Sequence, residues 1–264
     1  MASPYRAVLG SRVRSQLQYK QSFLLDIFGS TLVAALELAE LLVIFGRTET
    51  LGGLNFGAAA LVFALANTAW GIADIVFGHM DRLPRYVRSG QLDSFLLRPL
   101  PVLLQLMSSE ITLNKFGRLV AMAVLLVVAV LLAGVPFTLV SIGVLLLALM
   151  SGVVIYASIL IAASGAQFYL IDAAEVTNAA VYGMKYAASM PTSILHGTLR
   201  IFFCFVLPAA FIGYLPVLLA LGIDGPPGLP AWLGWWTPAA ALVAAAMALL
   251  MWRAGLRHYK GTGS

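Results

Sequence analysis

The chain has 264 residues, of which 61% are hydrophobic and only 10% charged, and its mean hydropathy is +0.94. A soluble domain carries about a quarter charged residues, so this composition excludes one and implies an all-α integral membrane protein. The net charge of +5 and the isoelectric point near 9.5 follow from basic residues at the inner ends of spans, which suit anionic membrane lipids and require no nucleic acid.

Residues 1–21 come first. Tyr5, Val8, Leu9, Val13 and Leu17 recur at helical spacing while Arg6, Ser11, Arg14 and Gln18 take other faces, the pattern of an amphipathic helix lying on the inner leaflet. A solvated basic tail that only enforces topology is the alternative. Six spans are then expected in a single domain over 22–253, near 22–46, 54–79, 103–133, 137–169, 192–215 and 236–252, followed by a tail over 254–264. Arg6, Arg12, Arg14 and Lys20 precede the first span, and Arg82, Arg85, Arg88 and Arg98 follow the second. Lys115, Arg118, Lys185, Arg200, Arg253, Arg257 and Lys260 are assigned to the same side, leaving Arg47 outside. Both termini are therefore expected in the cytoplasm.

Within the first span, Glu37 and Glu40 share one helical face in its outer half. No basic residue is expected at their depth, so they would face a wet cavity, another subunit or a cationic substrate, or form a protonated pair. In the second span Asn67 and Asp74 share a face, and Asp74, Asp26 and Arg200 are placed at similar depth near the inner boundary. Arg200 is accordingly expected to pair with Asp74 or Asp26. His79 and Asp81 at the inner end of that span are too few to hold a metal.

The region 80–100 interrupts the apolar pattern. Pro84 and Pro99 bracket the stretch RSGQLDSFLLRPL, and Leu92, Phe95, Leu96 and Leu100 recur at i, i+3, i+4 and i+8. A short amphipathic helix follows from this spacing, with Gly90 permitting a sharp entry. Its apolar stripe would pack on the ends of its own spans or on another protein, leaving Arg82, Arg85, Arg88 and Arg98 for acidic partners. Between Arg118 and Asp172 no formal charge occurs, and Gly134-Val135-Pro136 marks a turn between two spans. Ser151, Ser158 and Ser164 along the fourth span suit helix packing. Asp172 and Glu175, with Lys185 following, form either a second inner contact surface or a solvated turn.

Cys204 is expected to be a buried apolar residue of the fifth span. The segment 216–237 is rich in Gly and Pro yet still apolar, and Trp232, Trp235 and Trp236 can sit at headgroup level. It is expected to dip back toward the outer leaflet in short helices, or else to serve as an aromatic anchor. No phosphate-binding loop occurs: Lys260-Gly261-Thr262-Gly263-Ser264 has the wrong order.

The amphipathic N-terminal helix, six spans, apolar last outer loop and the motif R-S-G-x-L-D-x-x-L-L-R-P-L after the second span together resemble the permease subunit of an ATP-binding-cassette transporter of the type-2 exporter class. At Gly90, Leu92, Asp93, Leu96, Leu97, Arg98 and Pro99 the chain is similar to a bacterial subgroup. The broader class often carries glutamates before this glycine, where Arg85, Val87 and Arg88 stand here. The resemblance implies a multi-pass protein of the bacterial inner membrane. It also implies a coupling helix, formed here by Arg85, Arg88, Gly90, Leu92, Asp93, Phe95, Leu96 and Arg98, that docks on a separate cytoplasmic ATPase. A second permease subunit would complete the pathway, and the partner ATPase would hold ATP and magnesium, with no cofactor in this chain. The apolar spans favour an amphipathic cargo such as a drug, lipid or peptide. Two other classes stay open: an ion-coupled secondary transporter or channel using Glu37, Glu40 and Asp74, and an intramembrane enzyme.

Overall fold

The computed structural model describes residues 20–109, 115–169 and 174–259. Most of the expected N-terminal interfacial helix, Asp172, Lys260 and the rest of the tail lie outside the described residues, as does the side chain of Asp26. Helix α1 (Lys20–Phe45) is followed by α2 (Phe56–Phe77), a 3-10 turn (Gly78–Arg82) and three short helices, α3 (Leu83–Arg88), α4 (Gln91–Leu96) and α5 (Val102–Ser109). Then come α6 (Lys115–Leu132), α7 (Leu139–Gln167) and α8 (Ala174–Ser189). A broken segment comprises α9 (Gly197–Ile201), a π turn (Phe202–Val206), a 3-10 turn (Ala209–Phe211) and α10 (Tyr214–Leu221). A last 3-10 turn (Ala231–Trp236) opens into α11 (Thr237–His258). Among the described residues the only bridge is an isolated one between Leu51 and Leu54.

Local chemistry accounts for the ends of these helices. The Asn55 side chain accepts a hydrogen bond from the Ala58 N–H at 2.9 Å, and Thr138 accepts one from the Ser141 N–H at 3.1 Å, capping α2 and α7. Pro238 sits in the first turn of α11, where its missing N–H costs nothing.

Helix α2 is apolar on every side and lies at the centre, buried over most of its length against α6, α7 and α8. Helix α11 runs along α7 in the most extensive helix pairing among the described residues. A β-carbon on Gly165 would meet the Met251 carbonyl and the Trp252 nitrogen at 2.9 Å, and one on Gly255 would overlap the Gly165 carbonyl. The absence of side chains is what lets these two backbones approach. At the opposite extreme α1 packs along α6 and leaves Leu25, Phe28, Leu32, Leu36 and Val43 exposed.

Among the described residues five helices are long and apolar enough to cross a membrane, α1, α2 with its continuation, α6, α7 and α11 with its preceding turn, or six if the bent pair 197–221 counts as one span. Of the stretch 103–133, α5 is described to Ser109 and α6 from Lys115, and α6 by itself is long and apolar enough to cross a membrane. The stretch 192–215 is not one straight helix but part of a bent pair, either a broken span or a re-entrant loop. Pro208 pushes Leu207 into an extended conformation (φ −107°, ψ 99°), and the helical pieces on either side meet at 64°. The turn of this segment lies inside the bundle, with Gly213 against Val62 and Ala188, and Ile212 against Gly152. The bend lies before 216, where a dipping segment was expected to start.

Helix α8, assigned from sequence to an inner loop, instead traverses the bundle. Gln167 donates to Thr177 at its start (2.8 Å), Tyr182 packs on Trp70 in the middle, and Asn67 donates to Ser189 at its end (3.1 Å). Four residues further, Ser193 donates to the Gly52 carbonyl in the α1–α2 turn at 2.7 Å.

Candidate functional site

Two arrangements carry chemistry, one at the insert end of the bundle and one within it. Within 88–100 the helix is α4, entered at Gly90, whose φ of +69° lies in the left-handed region that suits glycine, and α3 precedes it. Its stripe also divides. Leu92 is fully buried with Met80, Leu83, Tyr86 and Val87 against Ile161, Phe168, Ala248 and Trp252. Phe95 is half-buried, whereas Leu96, Leu97 and Leu100 are exposed, Leu97 at 87%. Arg85, Arg88 and Arg98 are exposed around them, and Arg98 lies over the Phe95 ring at 5.8 Å. A cavity of about 270 Å³ opens between α3 and α4, lined by Arg82, Arg85, Tyr86, Ser89 and Gln91.

This insert is tied to the α7–α11 pair. The Tyr259 hydroxyl donates to Asp93 Oδ1 at 2.9 Å, and the Tyr259 ring packs on Phe168, which in turn packs on Trp252. From α7, the Ser164 hydroxyl donates to the Met80 carbonyl at 2.8 Å. Gln105 donates to the carbonyls of Phe95 (2.9 Å) and Leu100 (2.8 Å), holding the far end of α4. His79 is buried and engages the Leu106 carbonyl, so it packs within the protein.

The second arrangement joins four helices. Arg118 of α6 donates through one nitrogen, Nη2, to both carboxylate oxygens of Glu37 on α1 (2.7 and 2.6 Å) and to Asn67 Oδ1 on α2 (3.4 Å). Lys185 of α8 donates to Glu37 Oε1 at 2.8 Å. Glu37 therefore has two basic partners, contrary to the expectation that it had none. They were missed because each was assigned to the inner face, whereas α6 and α8 carry both side chains to the level of Glu37. Glu40 accepts the Tyr186 hydroxyl.

Asp74 pairs with Lys115 at 2.7 Å, not with Arg200. Gly78 makes this pair fit, since a β-carbon there would overlap the Asp74 carboxylate. Arg200 donates instead to the carbonyls of Leu195 (2.8 Å) and Ser193 (3.0 Å), at the end of the bundle where the α1–α2 turn lies. The broken backbone before α9 explains the change: carbonyls freed by the irregular stretch are its acceptors.

Cys204 is fully buried. Trp232, Trp235 and Trp236 are exposed on the turn before α11, more than half of each side chain being open.

No curated protein and no solved structure matches the chain. A family model described as ABC-2 family transporter protein matches residues 31–263. That match covers nearly the whole chain, including the insert, the four-helix charge cluster and the α7–α11 pair, and on that basis the chain belongs to the ABC-2 transporter family.

Proposed function

We propose that this chain is one of two permease subunits of an ATP-driven exporter of the bacterial inner membrane, and that α3 and α4 form its coupling element. The family makes it a membrane component of an ABC transporter, associated with a cytoplasmic ATPase. The observation that carries the finer reading is the insert itself. Leu96, Leu97 and Leu100 stay exposed beside Arg85, Arg88 and Arg98, a surface with an apolar centre and a basic rim of the kind that docks on another protein.

In this reading the insert end faces the cytoplasm. Arg82, Arg85, Arg88, Arg98, Arg253 and Arg257 belong to that end, against Arg47 and Arg200 at the other, in keeping with retention of positive charge inside. Helix α8 is then the fifth span, the segment from α9 to α10 is re-entrant, and α11 is the sixth span. Both termini are cytoplasmic. The exposed flank of α1 accommodates the second permease subunit, and Trp232, Trp235 and Trp236 anchor the outer interface.

Mechanically, closure of the ATPase pair around ATP and magnesium moves the docked insert. Asp93 and Leu92 pass that motion to the inner ends of α7 and α11 through Tyr259, Phe168 and Trp252. An ion-coupled pathway through Glu37, Glu40 and Asp74 fits less well, because each carboxylate is already engaged by a partner within the chain.

Affinity purification from native membranes in mild detergent tests the proposal. Wild type is expected to bring down a nucleotide-binding subunit whose ATPase activity copurifies, and Leu96→Asp to lose most of it while still inserting. Undiminished recovery with Leu96→Asp would remove the coupling role from α4.

A further inference from the structure

Positive charge exceeds negative on the insert. Over residues 80–100 the four arginines Arg82, Arg85, Arg88 and Arg98 stand against two aspartates, Asp81 and Asp93. Asp93 accepts the Tyr259 hydroxyl at 2.9 Å, and Asp81, whose Oδ1 is buried, lies within charge range of Arg82 and Lys115. Arg85 is left over. It is exposed, and no hydrogen bond or ion pair engages its guanidinium among the described residues.

That guanidinium borders a cavity. The space of about 270 Å³ between α3 and α4 is lined by Arg82, Arg85, Tyr86, Ser89 and Gln91, with no carboxylate among the described lining residues. Helix α3 buries Leu83, Pro84, Tyr86 and Val87 toward the bundle, whereas Arg85 and Ser89, one turn apart, are exposed, so the cavity opens outward. Its shape is set before anything binds: the Gly90 N–H donates to the Val87 carbonyl at 3.1 Å, and Gln105 holds the far end of α4. An arginine offers five N–H donors and no acceptor, so the lining asks for an anion. The cavity is smaller than the roughly 300 to 1,000 Å³ of pockets for drug-sized ligands. Its exposed lining residues are all polar, which leaves no apolar strip for an acyl chain. One acidic side chain meets both limits.

The cavity is also continuous with the docking surface. Tyr86 packs on Phe95 at 6.0 Å, Arg98 lies over the other neighbour of that wall, the Phe95 ring, and Leu96 and Leu97 follow exposed. We infer that the α3–α4 cavity is a socket for one aspartate or glutamate side chain of the cytoplasmic ATPase, its carboxylate held by Arg85 with Arg82 beside it while the apolar patch of α4 seats. The inference rests on the coupling reading and adds the chemistry by which the partner is recognised: a planar guanidinium takes both oxygens of a carboxylate, fixing orientation as well as contact.

Titration of the purified ATPase subunit onto the full-length permease in nanodiscs of neutral lipid tests it. Wild type is expected to bind less tightly as salt rises. Arg85→Gln should raise Kd about tenfold, the scale of one charge-assisted contact, and flatten the salt dependence. Arg253→Gln removes an exposed cation at the same end but outside the cavity, and should change Kd by less than about twofold. No loss in Arg85→Gln, or equal losses in the two variants, would overturn the socket. Arg85→Lys gives a second readout, because residues 80–100 contain no lysine. A carbodiimide, which takes up the water released, should condense the introduced amine with a carboxylate as an amide, and mass spectrometry should place that carboxylate on one residue of the ATPase. Coupling confined to carboxylates of the permease itself would overturn the socket. So would intact ATPase binding by Arg85→Gln together with loss of copurifying phosphatidylglycerol, which would make the occupant a lipid. ATPase binding lost in Leu96→Asp but kept in Arg85→Gln would strike the socket and leave the docking reading standing, whereas no binding by wild type would strike both.

Discussion

Two pairs of helices in this molecule are joined by opposite means. Between α7 and α11 the contact is backbone on backbone, made possible by Gly165 and Gly255. Between α1 and α8 it is made by long side chains: Glu37 with Lys185, and Glu40 with Tyr186. A backbone contact has one good geometry and no alternative partner. An ion pair at the end of flexible side chains can be exchanged for another ion pair. The first joint is thus suited to transmit motion and the second to permit it, which matches the insert being clamped to α7–α11 through Asp93 and Tyr259.

Substitutions in each joint break or sharpen this contrast. The largest effect is expected from Gly165→Leu, which drives a side chain into the Met251 and Trp252 backbone and should cost about 3 kcal/mol, enough to abolish recovery of monodisperse protein. A variant that purifies with an unchanged melting temperature would show that α7 and α11 can separate freely. Next comes Glu37→Ala, which strands two cations and should cost about 2 to 3 kcal/mol. Adding Lys185→Met should recover part of that loss, and strictly additive melting shifts would argue that the pair is not coupled. The smallest effect is Tyr259→Phe. Losing one hydrogen bond costs about 1 kcal/mol of stability, and the expected signature is reduced stimulation of the partner's ATPase with normal insertion. Full stimulation would mean that Asp93 is held well enough by the surrounding packing.

The contrast also explains what was legible in the sequence. Helices α1, α2, α7 and α11 declare themselves because apolar composition alone requires them to be buried in protein or lipid. The insert is legible too, since a basic amphipathic stretch between such helices has few other uses. Helix α8 is not. Its Glu175, Thr177, Asn178 and Lys185 dilute the apolar signal, and the group that compensates Lys185 lies on α1, 148 positions away. The same remoteness hid the partners of Glu37. Arg118 and Lys185 were read by position in the chain, whereas their side chains are recruited by tertiary contacts that no local pattern encodes. In 192–215 hydropathy did not show the 64° bend, which Pro208 accounts for, since proline in a helix interior both removes a donor and clashes with the preceding turn.

Helix α7 has a last consequence, set by its length. With 29 residues and no charge it is about 43 Å long, well beyond the roughly 30 Å of a bilayer's hydrocarbon core. Such a rod has to lean, protrude or thicken the surrounding lipid. Because α11 is locked against it and the insert is fastened to both, any change in that lean tilts the insert, the proposed docking surface, as a unit. Membrane thickness becomes an input to the machine: in liposomes of graded acyl-chain length, the seating of the ATPase would vary with the lipid while every residue at the interface stayed the same.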